Sequence, residues 1–212
     1  MNVEIIETAK QYICGLQQAY LKNNAKAEWE DFERVKHGAA KEDLDKIKKE
    51  YPVVSNSLIE LLEYVDGTYH REYQGDEITF YFLGSDVDDC AYPYYLLSAE
   101  EILEETKLGK EHGYGLYDFL YWINENGYFE LYDDKLTNNS DMAKWLCFSH
   151  CMNNGGTSIL FIDFTPSKKG KVGQVVRFLH DPDQYRVIAD SFDDYLKMLM
   201  DNCYGFINGD TV

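Results

Sequence analysis

The chain has 212 residues, 45% of them apolar and 15% aromatic, with 38 acidic against 20 basic side chains and a formal charge of −18. That length carries about one large domain with a substantial core, and a field of that sign excludes sequence-general nucleic-acid binding, because phosphate backbones would be repelled. No apolar run approaches the roughly 20 residues of a membrane helix, and Met1-Asn2-Val3-Glu4 lacks the basic-then-apolar start of a secretion signal, so the cytoplasm is the expected address.

Val3, Ile5, Ile6, Ala9, Ile13, Leu16 and Tyr20 recur at helical spacing, and Trp29, Phe32 and Val35 continue the pattern in a second helix. Lys41 to Glu50 forms a third, with Leu44 and Ile47 inward. Pro52 breaks the chain, Ser55 caps a fourth helix carrying Leu58, Ile59, Leu61, Leu62 and Val65, and Gly67 stops it. Thr68 to Tyr73 and Ile78 to Leu83 are aromatic and β-branched around Gln74-Gly75-Asp76, a hairpin signal. Ser98 with Glu101 three residues later is a capping box opening a short helix through Ile102 and Leu103. Between Gly109 and Asp141, Leu116, Phe119, Leu120 and Ile123 favour a helix, whereas Gly127, Asn138, Asn139 and Ser140 indicate turns, as in an inserted lobe. Strands return at Trp145 to Phe148, Ile159 to Phe164, Gly173 to Leu179 and Tyr185 to Ala189, the first pair joined by the turn at 153–156. Ser191 caps a closing helix with Phe192, Tyr195, Leu196 and Leu199 inward. Helices first, antiparallel strands in the middle and a helix last make an α+β fold.

The charge is uneven. Residues 51–143 carry 20 acidic and 4 basic side chains, nearly the whole excess, together with 13 of the 18 tyrosines. Tyrosine offers a broad apolar face with a polar tip, and a field of one sign steers an oppositely charged partner. The pattern fits either a docking surface for a basic protein or an ordinary solvated face over a tyrosine-rich core.

Motifs for chemistry are sparse. Cys14, Cys90, Cys147, Cys151 and Cys203 are an odd, scattered set, unlike a disulfide framework, and are read as reduced thiols. Cys147-Phe-Ser-His150-Cys151 has no second Cys/His pair nearby in sequence to complete a structural zinc site, nor any visible orienting group for a nucleophile, so no metal or cofactor is expected. Asp86, Asp88 and Asp89 suggest a calcium loop, but its sixth and twelfth places hold Ala91 and Leu97 rather than glycine and glutamate. Gly170-Lys-Val-Gly173-Gln174 lacks the Gly-Lys-Ser/Thr ending of a phosphate loop and leads into a strand. Histidines 37, 70, 112, 150 and 180 form no ligand pair at helical spacing. No enzyme signature emerges.

Two stretches carry a family resemblance. Lys49-Glu-Tyr51-Pro52 with Leu58-Ile-Glu-Leu-Leu62 and Val65-Asp-Gly-Thr68 is similar to the entry helix and glycine stop of the Smi/Knr family of the SUKH superfamily. Lys144-Trp145, Asn154-Gly-Gly156, Leu160-Phe-Ile-Asp163, Pro166, Gly173-Gln174-Val175 and Ile188-Ala-Asp-Ser191-Phe192 with Tyr195-Leu196 resemble its back half, in order. Phe82-Leu-Gly-Ser85 and Tyr94-Tyr-Leu-Leu-Ser98 are typical of bacterial members. Physically these positions read as architecture: Gly67 ends a helix, Gly173 allows a tight turn, Trp145 and Phe192 are anchors, and Ser191 is a cap. Asp163 and Gln174 read as a satisfied buried hydrogen bond, with a recognition site as the other reading.

The resemblance implies one Smi/Knr-like domain over 39–201, an antiparallel sheet flanked by helices, with an insertion at about 109–141. A helical extension at 1–38 and a tail at 202–212 would lie outside it. It also implies protein binding rather than catalysis: bacterial members are mostly immunity proteins that neutralise a cognate polymorphic toxin, commonly a nuclease or deaminase, and fungal relatives regulate cell-wall synthesis. The expected partner is therefore a basic toxin domain, with a scaffold or regulator of cell-wall synthesis as the alternative. The expected contact surface comprises Asp86, Asp88, Asp89, Tyr121, Glu125, Tyr128, Glu130, Tyr132, Asp133 and Asp134.

Overall fold

The computed structural model describes residues 8–69, 71–73, 75–90, 92–153 and 156–212. Val3, Ile5, Ile6, His70, Gln74, Ala91, Asn154 and Gly155 lie outside them, as do the side chains of Asp89 and Cys90. Four helices lead the chain: α1 (Thr8–Lys22), α2 (Lys26–Val35), α3 (Lys41–Glu50) and α4 (Asn56–Tyr64). α2 and α3 bury the expected Trp29, Phe32 and Val35 and the expected Leu44 and Ile47, whereas α1 buries Ala9, Leu16 and Tyr20 of its expected stripe together with Tyr12 and Ala19 and leaves Ile13 half-buried. The Ser55 hydroxyl accepts from Ser57 N–H at 3.1 Å and so starts α4.

A small hairpin, β1 (Arg71–Tyr73) with β2 (Asp76–Ile78), follows. Its second strand ends at Ile78 rather than continuing to Leu83. Phe80 instead turns inward and stacks on Phe32 at 4.1 Å and Tyr20 at 4.4 Å, so core packing replaces strand pairing there.

The main sheet is fully antiparallel and runs in chain order: β3 (Leu83–Gly84), β4 (Pro93–Leu96), β5 (Trp145–Asn153), β6 (Gly156–Asp163), β7 (Gln174–Leu179) and β8 (Gln184–Ala189). β4 has no counterpart among the expected strands; its tyrosines fit either a surface or a core, and Tyr94, with Leu96, is fully buried. Helix α5 (Ala99–His112) opens with the expected capping box at Ser98 and Glu101 but continues three residues beyond Gly109, stopping at left-handed Gly113. Helix α6 (Leu116–Asn126) follows, and α7 (Phe192–Asp201) closes the regular structure behind the Ser191 cap.

The sheet is covered on both faces. Phe148 meets Phe192 and Tyr195 of α7 on one face. On the other, Tyr114 packs on Trp145 and Phe161, and Phe119 of α6 packs on Tyr185. The first described helix and the residues after α7 join the same core: Tyr12 O–H donates to the Phe82 carbonyl, Tyr204 O–H to the Tyr12 carbonyl, and Phe206 is fully buried. No helix among the described residues is long and apolar enough to cross a membrane.

Candidate protein-binding surface

Residues 113–136 cross the sheet face formed by Ile159, Phe161, Phe178 and Tyr185. The inward stripe of α6 is Leu116, Phe119 and Ile123. The outward one is Tyr117, Tyr121 and Glu125, at i, i+4 and i+8, with the two tyrosines 67% and 62% exposed. Trp122 is also exposed, and Tyr128 stacks on it at 5.3 Å. With Phe129, five of the ten exposed large hydrophobic residues among the described residues fall within 117–129. Such a concentration marks an interaction surface more than scattered apolar residues do.

A cleft of about 790 Å³ separates α6 from the β7–β8 turn. Tyr114, Phe119, Trp122, Phe161, Phe178 and Tyr185 line its apolar part, and Asp118, His180, Asp181 and Asp183 its polar part. The carboxylates beside these aromatic faces suit a cationic side chain with an apolar stem.

The expected contact residues divide into three groups. Tyr121, Glu125, Tyr128 and Glu130 are exposed on the lobe, together with Asp134, which pairs with Lys169 at 2.5 Å. Tyr132 and Asp133 turn inward instead. Tyr132 packs on Phe119 and Tyr185 and donates to the Thr137 carbonyl, while the Asp133 carboxylate accepts from Lys135 N–H at 3.0 Å and Val187 N–H at 3.2 Å, fastening the lobe to β8. Asp86 and Asp88 belong elsewhere. Asp86 pairs at 2.9 Å with Arg177, which alternates with Phe178 along β7 and therefore projects from the opposite face of the sheet. The described side chains thus form two separate acidic regions, and only the lobe combines acid with exposed aromatics. Asp118, Asp181 and Asp183 were missed because their proximity depends on how α6 crosses the sheet.

The motif residues are buried and hydrogen-bonded or lie at left-handed turns. Asp163, fully buried, accepts from Thr165 N–H at 2.8 Å and Gln174 Nε2–H at 2.9 Å, and the Gln174 amide reaches the Lys135 carbonyl at 3.3 Å. Burial raises the Asp163 pKa, and these bonds counter the rise. Gly67 and Gly173 have φ of +84° and +90°. Trp145 and Phe192 are buried anchors.

Cys147 and His150 do meet, with Sγ and Nε2 3.4 Å apart. Burial pushes the Cys147 thiol well above its ordinary range and Cys151 up to about 11, the reverse of the depressed pKa a nucleophilic cysteine uses.

A family model described as SMI1 / KNR4 family (SUKH-1) matches residues 38–198. No curated protein matches the chain.

Proposed function

Because the chain belongs to the SMI1 / KNR4 family (SUKH-1), we propose that it is a non-enzymatic immunity protein that binds a cognate toxin and neutralises it by occlusion. The toxin domain is basic, of the nuclease or deaminase kind. The observation that carries this reading is the lobe, where Tyr117, Tyr121, Tyr128 and Phe129 stand exposed among Asp118, Glu125 and Glu130. Enzymes acting on nucleic acid present positive clefts to phosphate, and a carboxylate-studded partner competes for such a cleft. Charge accelerates encounter, and desolvated aromatic anchors slow release. Asp86, whose partner Arg177 projects from the other face of the sheet, stands outside this contact.

The test is affinity capture of the tagged protein from its own host at low and high salt, followed by association kinetics with the captured partner. One dominant basic partner, inhibited on binding and weakened by salt, is the expected result. E125K/E130K should slow association by about tenfold and flatten its salt dependence; unchanged on-rates would remove the lobe from the contact. A spread of envelope-synthesis proteins would favour the scaffold role instead.

A further inference from the structure

Cys147 and His150 stand three residues apart on β5, a spacing that places side chains on opposite faces of a regular strand. The register slips between Cys147 and Ser149: Cys147 pairs with Phe161, Ser149 with Leu160 and His150 with Ile159. The extra residue turns Cys147 and His150 onto one face, the kind of re-aiming that bulges perform beside functional sites. Helix α5 lies over that face and adds Glu105, so that one donor atom from each of Glu105, Cys147 and His150 lies within 4.8 Å of the others. Sequence spacing gave no sign of this third donor, which comes from more than forty positions away.

The geometry and donor set suit a cation. Ligands at zinc distances of 2.0–2.3 Å in a tetrahedron stand about 3.5 Å apart, and Cys147 Sγ and His150 Nε2 are separated by 3.4 Å. The half-buried Glu105 carboxylate makes no hydrogen bond or ion pair among the described residues, and Glu101 and Glu104 add to the negative field around it. An unpaired carboxylate at such depth is costly unless a positive charge joins it. Sulfur and imidazole together select a borderline-soft metal over magnesium or calcium.

We propose that Glu105, Cys147 and His150 form a binding site for a divalent cation of the zinc class, with a fourth position for water. Binding forms bonds to the cation from the thiolate sulfur, the imidazole nitrogen and a carboxylate oxygen, and the thiol proton leaves to solvent. The cation cross-links α5 to β5, and the site stands independently of the toxin reading.

The test uses the full chain, reduced and stripped by chelator, in a C14S/C203S background that removes two exposed thiols. Zinc is titrated against a chromophoric chelator, and cobalt is added as a spectroscopic probe. One bound equivalent and a thiolate-to-cobalt charge-transfer band are expected, with the band lost in C147S. E105Q and H150Q alter partly exposed residues and should each weaken binding at least about tenfold, since even outer-shell partners matter by about 10–100-fold. Failure to compete with the chelator, or unchanged affinity in both E105Q and H150Q with native circular dichroism, would overturn the site.

Discussion

At the scale of single residues, Glu50 ends α3 and receives Lys110 at 2.8 Å and Lys144 at 3.3 Å. The Lys110 hydrogen bond foremost, then Lys144, holds its carboxyl below the ordinary value of 4.5 despite partial burial. The folded pKa thus lies below the unfolded one, so the stabilisation is fully present above the ordinary glutamate range and is lost as pH falls through the folded value. Both lysines are about half exposed, which screens the pair. Glu50→Gln should therefore cost only about 0.5–1 kcal/mol at neutral pH. In urea unfolding, the gap between wild type and variant should close on acidification, and a gap independent of pH would refute the assignment. Gly67 has a different constraint: its φ is +84°, and an added Cβ would stand 2.7 Å from the Ser98 backbone nitrogen. Gly67→Ala should destabilise by about 1–3 kcal/mol in the same measurement.

At the scale of elements, α5 depends on its start. Ser98 Oγ accepts from Glu101 N–H at 3.2 Å, and the Glu101 carboxylate accepts from Ser98 N–H at 2.7 Å. Ser98→Ala should cost about 1–2 kcal/mol by thermal unfolding, and would also disturb the helix that carries Glu105. The lobe depends on Asp133, whose loss leaves the buried-side N–H groups of Lys135 and Val187 unpaired. Asp133→Ala should cost about 1–3 kcal/mol and raise hydrogen exchange across 128–136; unchanged exchange would show that the lobe is held by its aromatics. These elements also mark how far the sequence could be read. Capping boxes, apolar stripes and the glycine stop are local signals, so the helices were legible, as were exposed Tyr121 and Glu125. The inward turn of Tyr132 and Asp133 was hidden because their partners lie on β8, some fifty residues on. The tyrosines of β4 were ambiguous because the same side chain serves a surface and a core. The convergence of Glu105 with Cys147 and His150 requires a bulge that no periodicity announces.

On the scale of the whole molecule, the residues after α7 are structural. Phe206 is fully buried, and a Cβ on Gly84 would strike its ring at 2.5 Å, which shows how closely this segment seats against β3. Phe206→Ala should cost about 3–5 kcal/mol, read as a lower denaturant midpoint; a loss below 1 kcal/mol would mean that the segment is dispensable. The hydrogen bond from Tyr204 to Tyr12 spans 192 positions and couples the first described helix to this late segment. During synthesis at about 5–20 residues per second, α1 therefore emerges roughly 10–40 seconds before its partner. Through that interval the part of α1 that receives Tyr204 lacks that partner, whereas Tyr20 meets Phe80 only sixty residues after itself, so the Tyr12 edge of the helix is left longest to solvent and to other nascent chains.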